Sequence, residues 1–442
     1  MGERKSRRPS SVPGTRLGRL LGLGLAAGEL VLGGMAESVR RLAEGERLGA
    51  AQTLLTAANA RRLAARLARL RGAAMKLGQL LSLEGDDLLP REAAAALAVL
   101  RSGADPMPLA QLHRVLGHEY GKGWRDRFQR FDEEPIAAAS IGQVHHARTR
   151  DGREVALKVQ YPGVARSIDA DVDNVAALLR LIDILPHGID VAAIAAEAKR
   201  QLHQEADYLA EARFLARYRK LVADEPRLLV PRVHRDLTTD RALAMDFVPG
   251  APLESLAGAP ARERDAVGAL LERLVFRELF EFHVMQTDPN FANYLWDERA
   301  RRVGLLDFGA TMELAPELVA RYRLICRAIV QDDRRAVREH AAEIGYLGPD
   351  DSAAHGDAVV EIIMLVCEPL RHRGRYDFAA STLPARVREL GFDLAFRKGL
   401  LRPPPPQTLF FHRKLVGSFL LLARIGAHVD VRALVAPFLP ER

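Results

Sequence analysis

The stretch from Gln286 to Asn293 reads QTDPNFAN, and fourteen residues beyond Asn293 comes Asp307-Phe308-Gly309, led by the apolar run Val303 to Leu306. Asp288, Asn293 and Asp307 all carry hard oxygen donors. Such donors suit a magnesium ion that keeps most of its shell for water and phosphate oxygens. A carboxylate can also take the proton of an attacking hydroxyl or water, the role open to Asp288. A base, an amide donor and a carboxylate donor in this order are parts that phosphoryl transfer requires. A lone Asp-Phe-Gly is usually a turn after a strand, whereas the ordered set is far more specific. Its Asp-x-x-x-x-Asn then Asp-Phe-Gly spacing matches the catalytic and metal-binding loops of phosphoryl-transfer enzymes.

Three further groups precede it. Val155-Ala156-Leu157-Lys158 follows Asp151-Gly152. Two β-branched runs around Asp-Gly predict a hairpin with Lys158 on its second strand. Apolar neighbours bury that strand, and a buried ammonium needs an anion. Upstream, Ala137-Ala138-Ala139-Ser140-Ile141-Gly142 is a run of small residues whose backbone can approach phosphate oxygens closely. Taken alone, each feature fits an ordinary surface strand with a buried lysine stem equally well. A long helix over 189–222 is predicted to carry Glu205, Asp207 and Glu211. Asp207 and Glu211 are four apart and so share a face; a kinase-like site needs one helical carboxylate to pair the strand lysine. Lys76-Leu77-Gly78-Gln79 lies in a helical stretch, where Lys76 and Gln79 point the same way. Gly78 costs that helix about 1 kcal/mol relative to Ala. In isolation the tetrapeptide reads as a surface lysine beside a packing glycine.

These residues need a scaffold. The chain has 442 residues, 48% hydrophobic and 27% charged. That is enough for two or three domains, or one large two-lobed unit, and excludes wholesale disorder. Cys326 and Cys367 are its two cysteines, which excludes a disulfide framework and a cysteine zinc site and makes a reducing compartment the default. Residues 1–71 hold 14 basic against 5 acidic residues, and the remainder 50 against 52. One basic segment is not a basic domain, so no nucleic-acid partner is expected. Arginine supplies 56 of the basic residues and lysine 8, so each lysine is informative. Helical periodicity covers 50–100, 109–120, 168–185 and most of the chain beyond 260. Short strands are expected within 228–248 and at 294–296 and 303–306. A proline run at 403–406 precedes an apolar helix over 408–425. No uninterrupted apolar run reaches the length of a conventional spanning helix.

KLGQ, AAASIGQVH, VALK, EAD, QTDPNFANYL and LLDFG together resemble, in order, the motifs of the UbiB (AarF) family of atypical protein-kinase-like proteins. The resemblance runs from about Leu67 to Gly309 and more loosely to the C-terminus. The QTDPN form and the SSVPGTRLGRL stretch look like the branch containing the mitochondrial coenzyme Q proteins. The resemblance implies an α+β, two-lobed kinase-like fold with a helical N-terminal extension and a mostly helical C-terminal lobe. Its expected divisions are a basic extension over 1–48, a helical KLGQ extension over 49–125, an N-lobe with inserted helices over 126–250 and a C-lobe over 251–442.

The resemblance also implies roles. Lys158 would hold the phosphates of ATP or ADP, with Glu211 as its partner. Glu205 and Asp207 would form the family's acidic element on the nucleotide side. Asp288 would be the catalytic acid of the loop, and Asn293 and Asp307 the Mg2+ ligands. Ala137, Ala138, Ala139 and Ser140 would replace the glycine-rich nucleotide loop. Lys76, placed with the catalytic residues, and Gln79, placed with the nucleotide-binding ones, would fold a helix over the site where ordinary kinases admit a peptide. The implied activity is ATP hydrolysis, or phosphorylation of a small or lipid-like molecule, in support of ubiquinone biosynthesis at a membrane. The alternatives are a protein kinase acting in trans and a nucleotide-switched scaffold of a quinone-biosynthesis complex.

Implied partners are a lipid or quinone precursor, an anionic membrane surface and other quinone-biosynthesis proteins. Implied locations are the bacterial cytoplasm at the inner membrane or the mitochondrial matrix. Arg16 and Arg19 with Leu20, Leu21, Leu23 and Leu25 would suit a surface helix, and residues 1–15 read as a disordered tail or a transit peptide. Two features depart from ordinary kinases. Thr287, not arginine, precedes Asp288. Ala315-Pro316-Glu317 follows Gly309 after only five residues, which leaves no peptide-binding activation segment, so Pro316 reads as an early helix residue.

Overall fold

The computed structural model describes residues 76, 106–182, 191–288, 290–394, 398–400, 404–405 and 408–439. The readings for residues 1–48, Gln79 and most of 49–125 lie outside them. The chain divides into two compact units, one running to Arg213 and adding Arg232–Phe247, the other made of Phe214–Pro231 and everything from Val248. Residues 214–231, expected in the N-lobe, go instead to the second unit, because Leu228 and Leu229 pair in parallel with Val303 and Gly304 of that unit.

In chain order the elements begin with α1 (Leu109–Tyr120), β1 (Phe128–Phe131), β2 (Ala137–Ala138), β3 (Gly142–Thr149) and β4 (Glu154–Gln160). Helices α2 (Val164–Ile182), α3 (Val191–Glu205) and α4 (Tyr208–Leu221) follow, then β5 (Leu228–Leu229) and β6 (Ala242–Asp246). The first unit's antiparallel sheet runs β1-β3-β4-β6, with β2 on the edge of β3. The Asp-Gly hairpin forms between β3 and β4, with Gly152 in the left-handed region at φ +86°, where glycine avoids the Cβ clash. Side chains alternate across a strand. Val155, Leu157 and Val159 therefore enter the core with Leu112, Leu116, Trp124 and Phe128, leaving Lys158 on the opposite face.

The single helix expected over 189–222 is two helices. The first ends at Glu205 and the second restarts at Tyr208, because the Asp207 carboxylate accepts the Ala210 N–H at 2.8 Å as an N-cap. A cap residue leaves the helical conformation to satisfy an orphan donor. Asp207 is thus not a helix-face partner of Glu211.

The second unit contributes β7 (Ala251–Pro252), α5 (Ala261–Arg277), β8 (Val284–Gln286), β9 (Tyr294–Asp297), β10 (Arg302–Leu305) and β11 (Thr311–Glu313). The longer helices that follow are α6 (Pro316–Val330), α7 (Arg334–Ile344), α8 (Ala353–Val366), α9 (Leu383–Phe392) and α10 (Leu409–Ile425). Pro316 is the first residue of α6, as its lack of an N–H favours. β9 pairs antiparallel with β10, and β8 with β11. One loop joins β8 to β9 and the other joins β10 to β11. The two ladders therefore force the loops carrying Asp288 and Asp307 to lie side by side. Among the described residues no helix is long and apolar enough to cross a membrane.

Candidate active site

In the first unit Lys158 Nζ lies 3.0 Å from both carboxylate oxygens of Glu211, on the first turn of α4. Lys158 is 6% exposed and Glu211 1%. The ammonium also stands 5.2 Å from the centroid of the Tyr208 ring. Burial is tolerable only because the charge is paired and hydrogen-bonded.

Lys76 is helical and, contrary to the surface reading of its tetrapeptide alone, fully buried. Its Nζ lies 2.5 Å from Glu205 Oε1 at the end of α3. The other Glu205 oxygen accepts the Ser140 hydroxyl. Lys76, Glu205 and Ser140 are thus one chain of contacts that ties the KLGQ lysine to the alanine turn. Ala137 and Ala138 form β2 opposite Val144 and Gln143, and the Ala139 N–H donates to the Gly142 carbonyl at 2.9 Å. Ala137 and Ala138 are exposed and Ala139 is half-buried. Gly142 is set by packing, since a Cβ there would stand 2.4 Å from the Val159 carbonyl oxygen and 3.0 Å from the Tyr208 hydroxyl.

In the second unit helix α5 continues as a π-turn, Glu278–Phe282, and ends at His283 with φ +52°. That left-handed residue turns the chain into β8. The Thr287 N–H and hydroxyl both donate to the Ala310 carbonyl, at 2.8 and 2.7 Å. Asn293 Nδ2 donates to the Asp288 carbonyl at 3.0 Å and approaches Asp288 Oδ2 at 3.4 Å. The Leu306 N–H donates to the Asn293 carbonyl at 3.0 Å, one residue before Asp307. The Asp307 carboxylate accepts the Gly309 N–H at 2.9 Å. These bonds bring Asp288, Asn293 and Asp307 together, which their separation in sequence does not by itself guarantee.

Phe308 is buried against the Tyr218 ring, with centroids 4.4 Å apart. The Tyr218 hydroxyl donates to Glu278 Oε1 at 2.9 Å, and the Gln286 N–H donates to the same oxygen at 3.3 Å. Lys414 Nζ, on α10, pairs with Glu278 Oε2 at 2.8 Å. Burial works against the Lys414 ammonium, but the Glu278 carboxylate keeps its pKa above the ordinary lysine value. The adjacent Arg413 places Nη2 3.5 Å from Asp288 Oδ1. Ordinary kinases carry an arginine just before the catalytic Asp, and here a guanidinium arrives from a helix 125 residues away. The sequence reading did not single out Arg413, Glu278 or Lys414. The rarity of lysine was a usable signal for Lys414.

Mg2+ fits this donor set. Asn293 gives its amide N–H to the Asp288 carbonyl, which leaves Oδ1 as the acceptor, and Asp307 supplies a carboxylate. Among the described residues no group of three or more His, Cys, Asp or Glu side chains could form an all-protein cage. Two oxygen ligands completed by phosphate and water are the usual arrangement for this ion.

A strand lysine bound to a helical glutamate in one unit, and an Asp-Asn-Asp loop pair in the other, define a kinase-like protein. The ABC1 atypical kinase-like domain matches residues 99–341. Atypical kinase COQ8B, mitochondrial, from Rattus norvegicus is 40% identical over 429 residues, which cover 97% of this chain and 81% of that protein. Atypical kinase COQ8, mitochondrial, from Saccharomyces cerevisiae is 36% identical over 423 residues, covering 95% and 84%. Among solved structures, the complex of Rv3197 with erythromycin from Mycobacterium tuberculosis is similar at a TM-score of 0.60 and 27% identity, covering 85% of this chain and 94% of that one. The chain belongs to the ABC1 atypical kinase-like family.

Proposed function

We propose that this protein binds Mg-ATP and either hydrolyses it or transfers its terminal phosphoryl group to a small or lipid-like acceptor, in support of isoprenoid-quinone biosynthesis at a membrane. The observation that carries this reading is the side-by-side Asp288, Asn293 and Asp307, fixed by the bonds of Asn293 and Leu306. Asn293 and Asp307 would hold the magnesium, which neutralises developing charge on the phosphate oxygens when bound. Asp288 would accept the proton of the attacking hydroxyl or water at its carboxylate. Lys158, oriented by Glu211, would bind phosphate oxygens. The quinone role rests on the likeness to the COQ8 proteins, whose names also favour a mitochondrial or related compartment.

A small acceptor is favoured over a protein one by the segment after Gly309. Residues Thr311–Glu313 are used as a strand against β8, and Pro316 already opens α6. No length remains there for a peptide-binding segment.

The test is phosphate release from Mg-ATP, with and without anionic liposomes, by the wild type and Asp307→Asn. Release that the substitution removes, together with loss of Mg-ATP binding in a nucleotide titration, is expected. Wild-type turnover in Asp307→Asn would refute the assignment. Complementation of a quinone-deficient strain by Asp288→Asn would favour the nucleotide-switched scaffold.

A further inference from the structure

The second unit holds a cavity of about 350 Å3 that the reading above does not use. That volume is at the small end of the range for small-molecule sites. Its floor is apolar and nearly sealed: Val267 and Leu270 of α5 are each 4% exposed, and Trp296 of β9 is 6%. Its mouth carries Arg227, Arg301 and Arg302 together with the Glu263 carboxylate. Arg227 pairs with Glu225 at 2.9 Å and Arg301 with Glu263 at 3.0 Å. Arg302 makes no ion pair among the described residues. One solvent-exposed guanidinium at the rim is therefore available to an anion.

The hairpin turn adds an independent observation. Arg301 has φ +51°, in the left-handed region that a glycine would occupy without strain. A strained backbone at a residue with a charged side chain is an outlier that motivates a functional reading. A guanidinium fork also binds a carboxylate through two parallel hydrogen bonds.

We propose that this cavity binds a small organic carboxylate, its apolar body on Trp296, Val267 and Leu270 and its carboxylate on Arg302, beside the Arg301–Glu263 pair. The volume admits a single short chain or ring. The site is separate from Asp288 and Asp307, so the proposal stands or falls independently of ATP turnover.

Calorimetric titration of the full chain with octanoate tests it. Octanoate is expected to bind the wild type, and Arg302→Ala to weaken binding about tenfold, the scale of one hydrogen bond to a charged group. 1-Octanol is expected to bind about tenfold more weakly than octanoate for the same reason. Arg301→Gly is expected to weaken octanoate binding while raising the Tm by about 2–4 °C. A damaged fold cannot produce that opposite pair of changes. The proposal is overturned by the absence of octanoate binding to the wild type, or by equal binding to Arg302→Ala. It is also overturned if inorganic phosphate binds as tightly as octanoate, because the apolar floor would then contribute nothing.

Discussion

Replacing Glu211 by leucine leaves the Lys158 ammonium buried without the two oxygens that now sit 3.0 Å from it. Removing one partner of a buried pair costs about 3–5 kcal/mol. The Tyr208 ring, 5.2 Å from the ammonium, remains in place and retains about 0.5–2 kcal/mol of cation–π attraction. The expected loss is therefore at the lower end, about 3 kcal/mol. For a unit of roughly 150–250 residues that is about 6–12 °C in Tm. Lys158→Met takes the ammonium away from the Glu211 carboxylate and should cost a similar amount. The double variant replaces the pair with apolar groups and should return close to the wild type. The assay is urea unfolding of all four proteins at pH 7, read as a double-mutant cycle with a coupling of about 2 kcal/mol or more. Single variants that each lose less than about 1 kcal/mol, the level of an exposed ion pair, would refute the burial argument.

Other outcomes follow from single contacts. Gly142→Ala drives a Cβ toward the Val159 carbonyl oxygen at 2.4 Å, and backbone cannot swing aside. It should cost about 1–3 kcal/mol in urea unfolding. Burial pushes the His412 imidazole from 6.5 down to about 4, so the folded state keeps it neutral, against the Tyr346 hydroxyl at 2.6 Å. The unfolded chain takes up a proton as pH falls below about 6.5, and the folded chain does not. The second unit should therefore lose stability between pH 6.5 and 4, by at most about 1.4 kcal/mol per pH unit from this group. Urea titrations at pH 7, 5.5 and 4.5 should show a shallower decline in His412→Gln; an unchanged slope would contradict the burial of the neutral ring.

Much of the scaffold was legible because its signals are local. The Asp-Gly turn with alternating apolar residues located β3, β4 and the face of Lys158. The apolar run before Asp307 located β10, and Pro316 marked the start of α6. The break at Ala206-Asp207 was not legible. Ala206 favours helix, and an aspartate in that pattern reads equally as a helix-face acid and as a cap. Which it becomes depends on where the chain must turn, and that is decided by tertiary packing. Partnerships across long separations were hidden for the same reason. Lys76 meets Glu205 across 129 residues and Arg413 meets Asp288 across 125, and nothing in either local pattern encodes the other. The spacing of Asp288, Asn293 and Asp307 suggested phosphoryl-transfer chemistry without showing what holds them.

What holds them is only partly the sheet. β8 and β11 have three residues each, and β9 and β10 four. Ladders this short are marginal by themselves. The rest comes from buried polar groups. Glu278, 0% exposed, takes bonds from Tyr218, which backs Phe308, and from Gln286, which opens the Asp288 loop. Its second oxygen is paired with Lys414, beside the arginine that faces Asp288. One carboxylate thus connects the phenylalanine beside Asp307, the strand before Asp288 and the helix that supplies Arg413. A buried network of this kind fixes geometry as long as each member is satisfied, and becomes costly when one is removed. Keeping the charges at Glu278 and Lys414 therefore bears on the position of Asp288 and Asp307.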